Sequence, residues 1–218
     1  MGERTVVHVM RHGEVHNPDG ILYERLPGFR LSANGLAMAR AVAEAFVDVP
    51  LTHLRTSPLQ RAVETIEPFA ATRPGLEVVT DERLTEAGNR FVGQVFGRHH
   101  AALWRPRNWP MMLNPLRPSW GEPFADIARR MTAALADAAG AAGPGGQALV
   151  VSHQSPIWIA RRAFEGKRPA HLPGTRTCSL ASITSFHFEG VRCVGITYSE
   201  PAARLLGADG NAAFSSGD

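Results

Sequence analysis

Short apolar runs alternate with longer amphipathic stretches along most of the chain. Residues 5–10 are rich in β-branched side chains and lead directly into Arg11, the pattern of a buried strand that runs into a loop. Residues 32–46 carry alanine, leucine and methionine at helical spacing, and Pro50 closes that stretch. The N-terminal part of the chain is therefore predicted to be a strand followed by a helix.

The same alternation continues toward the C-terminus. Further strands are predicted at residues 53–56, 76–80, 148–151, 181–188 and 191–198. Further helices are predicted from Ser57 as N-cap to about Phe69, over residues 123–139 with Gly140 ending the helix, and over residues 156–164. Strands that alternate with helices predict an α/β protein, a three-layer α/β/α sandwich with a mostly parallel central sheet.

Two regions depart from this rhythm. Residues 99–120 hold three of the four tryptophans and several prolines, and they are predicted to be an inserted loop or lid. That segment either plugs the edge of the core or contacts the substrate, in which case Arg105 and Arg107 would bind further negative charge. Residues 201–218 lack periodicity and are predicted to be a loose C-terminal tail after a single domain spanning residues 1–200.

Composition and charge exclude several classes of protein. The 218 residues are 44% hydrophobic and 20% charged, as in an ordinary globular chain. The net charge of +3 is dispersed rather than concentrated in a basic block, which argues against nucleic acid as a partner. No apolar run is long enough to span a membrane, and the first residues lack the apolar core of a secretion signal. The expected location is cytoplasmic, with no membrane partner.

The cysteines and the basic residues limit the kinds of site that the chain can form. Cys178 and Cys193 form no CxxC pair, so neither a thiolate metal site nor a disulfide scaffold is predicted. No metal-binding or glycine-rich nucleotide motif occurs, and no cofactor is expected. The cationic residues are mostly arginine, which suits a small anionic substrate.

Basic residues and histidines follow three of the predicted strands. Arg11 and His12 follow the first strand, Ser57 and Arg61 follow the second, and His153 follows the strand at residues 148–151. In an open parallel sheet these positions meet beyond the carboxyl ends of the strands. A pocket with two guanidinium groups and two imidazoles is suited to a phosphoryl dianion.

With these residues the sequence resembles the histidine phosphatase superfamily, which has the phosphoglycerate-mutase-like fold. The resemblance covers roughly residues 6–198 and depends on five short motifs: Arg11-His12-Gly13-Glu14 with Asn17, Ser57-Pro58 with Arg61-Ala62 and Thr65, Leu84-Thr85-Glu86, Gly121-Glu122, and Ser152-His153. It implies that His12 is the nucleophile that becomes phosphorylated. It also implies that Arg11, Arg61 and His153 bind the phosphate, that Asn17 and Ser57 contribute to the same pocket, and that Glu86 donates the proton.

The residue types suit this chemistry. A neutral imidazole can attack phosphorus if its other ring nitrogen keeps its proton on a fixed acceptor, and Gly13 permits a tight turn beside it. The arginines and a protonated His153 would stabilise charge on the phosphoryl oxygens. Glu86 as an acid would protonate the leaving alkoxide and then, as a carboxylate, activate water.

The sequence also departs from the family pattern. The residues after Glu86 differ from those of many family phosphatases, and alternative acids nearby are Glu14, Asp81 and Glu82. Gln154 stands where the mutases have glycine, and residues 23–31 lack the glycine-tryptophan segment of the mutases. A phosphatase is therefore favoured over a mutase.

Three functional hypotheses follow. The first is a metal-independent phosphomonoesterase that hydrolyses a small phosphorylated metabolite through phospho-His12. The second is a phosphomutase that returns the phosphoryl group to a bound acceptor. The third is a binding or regulatory protein that keeps the phosphate pocket but has little activity. The sequence does not name the substrate, and the oligomeric state stays open, with a dimer as one alternative.

Overall fold

The computed structural model describes residues 3–88, 92–93, 121–170 and 175–207. The strands in these residues are β1 (Thr5–Arg11), β2 (Leu51–Thr56), β3 (Val78–Thr80), β4 (Gln147–Ser152), β5 (Ile183–Glu189) and β6 (Arg192–Ser199). The α-helices are α1 (Ala33–Ala45), α2 (Gln60–Ala71), α3 (Phe124–Ala142) and α4 (Gln154–Phe164), and Glu82–Leu84 and Ala203–Leu205 form short 3₁₀ turns.

The strands form one mixed sheet in the order β3-β2-β4-β1-β5-β6. Strands β1 to β4 run parallel to one another, whereas β5 is antiparallel to β1 and forms a hairpin with β6. The helices that connect the parallel strands are long enough for the crossovers that such pairing requires. The predicted α/β class and mostly parallel sheet are confirmed.

Apolar side chains cover both faces of the sheet. Along β4, Ala148 and Val150 belong to the cluster that packs against α3 and α4. Leu149 and Val151 belong to the opposite cluster, with α1 and α2. Side chains alternate between the faces of a strand, so the unbroken apolar run of this central strand supplies both cores and gives a three-layer arrangement. Of the helices in the described residues, none has the length and apolar character required to cross a bilayer.

Two predicted helix ends differ from the structure. The helix α3 continues through Gly140 to Ala142, and Gly143 ends it with φ +78°. Gly143 takes a positive φ that glycine adopts readily and that a helix cannot continue, whereas Gly140 lies within the last turn. The helix α2 begins at Gln60 with Leu59 in the N-cap position, so the prediction of Ser57 as N-cap is wrong.

The loop after β1 packs directly on the first turn of α1. A Cβ atom on Gly35 would lie 2.0 Å from the Glu14 carbonyl oxygen, and one on Gly13 would lie 2.6 Å from the Gly35 carbonyl oxygen. The α1 N-cap residue Ser32 donates its backbone N–H to the Glu14 carbonyl (2.9 Å) and its hydroxyl to the Glu14 carboxylate. The two glycines therefore allow a backbone contact that fixes the position of the residues following β1.

The segment predicted to be a loose tail begins with packed residues. Ala202 is 1% exposed and contributes to the core beside α1 and α2. The Asn34 side chain donates to the Leu205 carbonyl (3.1 Å), which attaches the 3₁₀ turn to α1. Residues 208–218 of that tail lie outside the described residues, as does the whole predicted lid at residues 99–120.

Candidate active site

Three parallel strands end at the same edge of the sheet. In the register of the central strands, Arg11 pairs with Ser152 and Thr56 pairs with Val151. The residues that follow these strands are therefore neighbours, and the backbone N–H groups of His12 and Ser57 donate to carbonyls of β4 at 3.1 and 3.0 Å. The predicted meeting of the three strand ends is thus present in the structure.

His12 is oriented by its own loop. Its side chain is buried, and its Nδ1 lies 2.8 Å from the Gly13 carbonyl oxygen. A carbonyl oxygen can only accept, so Nδ1 carries the proton and Nε2 keeps its lone pair in the neutral ring. The Gly13 N–H in turn donates to the Thr65 hydroxyl of α2 at 3.2 Å. The loop thus holds the tautomer that a nucleophilic histidine requires.

Two buried arginines lie beside this imidazole. Arg11 donates through Nη1 to the Cys178 carbonyl at 2.8 Å, and Arg61 donates through Nη2 to the Glu24 carbonyl. The Arg61 guanidinium also lies 4.7 Å from the centre of the Tyr23 ring. Backbone carbonyls thus orient both guanidinium groups, and the Tyr23 ring also orients that of Arg61. Guanidinium groups held in this way suit the oxygens of an anion.

His153 completes the cluster at the N-cap of α4. Its ring centroid is 5.1 Å from that of His12, and its Nε2 lies 2.8 Å from the Ser57 hydroxyl oxygen. Ser57, which sequence reasoning placed at a helix N-cap, instead positions this second histidine. The Nδ1 of His153 is buried and has no hydrogen-bond partner among the residues that the structure describes.

Burial and neighbouring charge favour the neutral form of both histidines. Burial lowers the pKa of His12 well below 6.5, and the charges of Arg61 and Arg11 lower it further, against the opposing hydrogen bond to Gly13. Burial likewise lowers the pKa of His153 well below 6.5, and the next largest cause is Arg61. Two guanidinium groups close by add to this effect, and protonation of His153 beside a phosphoryl group stays a prediction.

These shifts predict a loss of stability in mild acid. Because the unfolded chain takes up protons at these two positions near pH 6.5 and the folded chain does not, the free energy of unfolding should fall as the pH drops below about 6.5. Urea denaturation at about pH 7, 6 and 5 measures this free energy. It should change less with pH for the double variant His12→Asn, His153→Asn than for the wild type. The exposed His16 provides the control His16→Asn. A double variant with the wild-type dependence would contradict the prediction.

Glu86 is a buried carboxyl group that acts on the charge of Arg61. It is 4% exposed, follows the 3₁₀ turn Glu82–Leu84, and accepts the Ala87 N–H at 2.8 Å through Oε1. Burial lowers the pKa of Arg61, and Tyr23 and Glu86 oppose that effect, which places the Glu86 carboxylate within electrostatic range of the Arg61 guanidinium. The position suits a proton donor to a group leaving from a phosphate bound there.

The alternative acids have other partners. The Glu14 carboxylate accepts from Ser32 and from Asn34 at the start of α1. Asp81 forms ion pairs with Arg55 and Arg83, and although burial raises the pKa of Asp81, the hydrogen bonds from Arg83 outweigh burial and lower it. Glu82 is exposed. Glu86 therefore fits the acid–base role best among these four carboxyl groups.

Of the other residues predicted to bind substrate, Asn17 is the one that lies among the described residues. Asn17 donates its side-chain amide to the Ile21 carbonyl at 2.8 Å and accepts the Ile21 N–H at 3.1 Å, so it shapes the loop after β1. Its contact with substrate stays a prediction. Arg105 and Arg107 lie outside the described residues.

Sequence reasoning missed the contribution of residues 23–25. Tyr23 and Glu24 both contact Arg61, and Glu24 is a buried non-glycine residue with φ +30°. Arg25 donates from Nε to the Glu86 carbonyl at 2.7 Å. These residues act through ring stacking and backbone carbonyls, which leave no recognisable signal in a loop without periodicity.

Comparisons with known proteins agree with this geometry. Residues 7–200 match the family model for the histidine phosphatase superfamily, branch 1. An uncharacterized protein of Mycobacterium tuberculosis is 52% identical over 203 residues, covering 93% of this chain and all of that protein.

Two solved structures are similar at lower identity. Mycobacterial glucosyl-3-phosphoglycerate phosphatase has a TM-score of 0.69 at 23% identity, over 91% of this chain and 97% of that one. Phosphoglycerate mutase from Bacillus anthracis has a TM-score of 0.71 at 17% identity, over 94% and 97% of the two chains. At these identities the likeness shows the fold, and a phosphatase and a mutase share it.

Proposed function

The chain belongs to the histidine phosphatase superfamily, and on that premise we propose that it is a metal-independent phosphomonoesterase that acts through phospho-His12. The observation that carries the proposal is the fixed tautomer of His12. Its Nδ1 proton is held on the Gly13 carbonyl, and two buried arginines lie beside the ring. Such a site combines an unprotonated nucleophilic nitrogen with a receptor for phosphoryl oxygens.

The first half-reaction transfers the phosphoryl group to the enzyme. The lone pair of His12 Nε2 attacks phosphorus, a P–N bond forms, and the P–O bond to the leaving group breaks. Glu86 gives its proton to the departing oxygen, so that an alcohol leaves rather than an alkoxide. Arg11 and Arg61 bind the equatorial oxygens, where charge is spread in the transition state.

The second half-reaction returns the enzyme to its starting state. The Glu86 carboxylate takes a proton from water, the water oxygen attacks phosphorus, and the P–N bond to His12 breaks. Inorganic phosphate leaves, and the His12 ring is again neutral with its proton on Nδ1. A bound phosphate dianion would favour the protonated form of His153, because its negative charge would oppose the burial and the arginine charges that lower the pKa of this histidine.

A phosphatase is proposed rather than a mutase because of the residue after His153. Gln154 is buried, and its side-chain oxygen accepts from Arg176 at 3.2 Å. It therefore places a bulky amide where the resemblance to the mutases would require glycine. The likeness to phosphoglycerate mutase supports the alternative of transfer to a bound acceptor, since the two activities share this fold.

A paired assay tests the proposal. Wild-type protein should hydrolyse an aryl phosphate and a panel of small phosphorylated metabolites, sugar phosphates included, at rates unchanged by a chelator. It should not catalyse bisphosphoglycerate-dependent isomerisation of phosphoglycerate. Isomerisation at a rate above hydrolysis would favour the mutase, and binding of inorganic phosphate without turnover of any compound would favour a regulatory protein.

A further inference from the structure

A single carboxylate joins two arginines beside the active site. Glu122 Oε1 accepts from Arg130 Nε at 2.8 Å, and Glu122 Oε2 accepts from Arg130 Nη2 at 3.1 Å, which is the paired arrangement that arginine favours. Oε2 also accepts from Arg25 Nη2 at 2.8 Å. Glu122 precedes α3, Arg130 lies within it, and Arg25 comes from the loop after β1, so the bridge joins distant parts of the chain.

Arg25 and Arg130 also donate hydrogen bonds to the segment of chain that carries Glu86. Arg130 Nη1 donates to the carbonyls of Arg83 and Thr85, the latter at 2.8 Å. Arg25 Nε donates to the Glu86 carbonyl itself at 2.7 Å. The bridge therefore binds this segment just before Glu86 and at the carbonyl group of Glu86 itself.

The main chain of Glu122 binds the same segment. Its N–H donates to the Gly88 carbonyl at 2.8 Å, two residues after Glu86. A Cβ atom on the neighbouring Gly121 would lie 2.9 Å from that carbonyl oxygen, so the two stretches of backbone are in close contact. Residues 83–88 are thus held by one carboxylate, its two arginines and its own N–H group.

The ion pair with Arg25 adds little to the stability of the fold, because that side chain is 46% exposed and ion pairs in contact with water contribute about 0–1 kcal/mol. The paired contact with Arg130 is less exposed, at 15% for that arginine, and it connects α3 to the segment that carries Glu86. Positioning of the Glu86 carboxyl group is a further role for these contacts, because general acid catalysis needs that group within hydrogen-bond reach of the leaving oxygen. A shift of about 1 Å in a catalytic group can cost roughly 10²-fold in rate.

We propose that Glu122 is a positioning residue for Glu86, acting through Arg25 and Arg130. The proposal rests on the proposed function, since it assigns Glu86 the acid–base role. It predicts that loss of the Glu122 charge impairs proton donation specifically, while binding of the phosphate and attack by His12 continue. A poor leaving group should therefore be affected far more than an activated one.

The test compares Glu122→Gln with a matched control. Turnover of an alkyl phosphate should fall about 10-fold, and turnover of a nitrophenyl phosphate should fall less than about 2-fold, with little change in KM. The control is Glu165→Gln, which removes a carboxylate of similar exposure at the C-terminal end of α4. This carboxylate forms ion pairs with Arg161 and Lys167. The control variant should leave both substrates unaffected. Equal losses on the two substrates for Glu122→Gln would overturn the proposal.

A double variant makes the test sharper. If Glu122 acts through Glu86, adding Glu122→Gln to Glu86→Gln should cause no further loss with the alkyl phosphate, because the group that it positions is already gone. A further loss equal to that of the single variant would show an independent structural effect and would overturn the proposal. Partial rescue by Glu122→Asp is expected, since the negative charge is retained.

A second variant and a test for phosphohistidine show whether a negative result comes from misfolding, from a wrong proposed function or from a wrong positioning role. If Glu122→Gln does not fold, Arg25→Gln removes one arm of the bridge at a half-exposed side chain and should show the same selective loss. If the wild type forms no phosphohistidine, the proposed function fails together with this inference. If the wild type forms it and Glu122→Gln shows no selectivity between substrates, only the positioning role fails.

Discussion

The variant His12→Ala is expected to lose turnover by about 10⁴-fold or more, the scale seen when a covalent nucleophile is removed. The alanine side chain has no atom that can attack phosphorus, while the arginines still bind the anion. The fold should survive because the removed imidazole is bonded to its own loop, at the Gly13 carbonyl. The loop itself is held by backbone contact with Gly35 of α1.

The phosphoenzyme provides a direct measurement of this nucleophile. Wild-type protein mixed with substrate and quenched rapidly at alkaline pH should retain an acid-labile phosphoryl group, and His12→Ala should retain none. His16→Ala is the matched control, since His16 is an exposed histidine four residues further along, and it should behave as wild type. Equal activity of His12→Ala and wild type would refute the mechanism.

The second large effect is expected from Glu86→Gln. Glutamine keeps an oxygen for the Ala87 N–H, but its amide has no acidic proton to transfer to a leaving alkoxide. Hydrolysis of alkyl phosphates should fall roughly 10²- to 10⁴-fold, the range of general acid catalysis, and hydrolysis of nitrophenyl phosphate should fall much less. The measurement is kcat for the two substrate classes with the same enzyme preparation.

Glu82→Gln is the control for this substitution. Glu82 is an exposed carboxylate four residues before Glu86 in the same segment, and its replacement should alter neither substrate. Equal losses on both substrates for Glu86→Gln would show that another group donates the proton. Glu14 and Asp81 would then be tested next, although the structure pairs both with other side chains.

The strand-end residues of the site could be predicted from the sequence for a simple reason. Parallel strands bring their carboxyl ends to one edge, so Arg11, His12, Ser57 and His153 meet once the strands are recognised. Buried strands are recognised in a sequence as short runs of apolar and β-branched residues. The sequence does not show the partner of each side chain. Ser57 is the example, since its hydroxyl contacts His153 at 2.8 Å as well as the Leu59 N–H at the start of α2 at 3.4 Å.

The supporting residues escaped prediction for a different reason. Arg25 and Arg130 act on backbone carbonyls, and every residue has a carbonyl, so nothing in the identities of Thr85 or Glu86 indicates that an arginine binds there. Likewise the neutral state of His153 depends on its burial beside Arg61, and burial follows from three-dimensional packing. Such effects become visible only when the distant segments are placed together.

The central position of β4 has a consequence for how the protein folds during synthesis. Strands β1 and β2 are made early but pair with each other only through β4, whose residue Gln147 aligns with Val6. A growing chain that has not yet reached β4 thus has two strands with no strand between them, and unpaired strand edges favour aggregation. Contacts so distant in sequence also form slowly. Because His153 directly follows the strand that closes this gap, we expect the cluster of Arg11, His12 and His153 to be complete only after β4 has been synthesised.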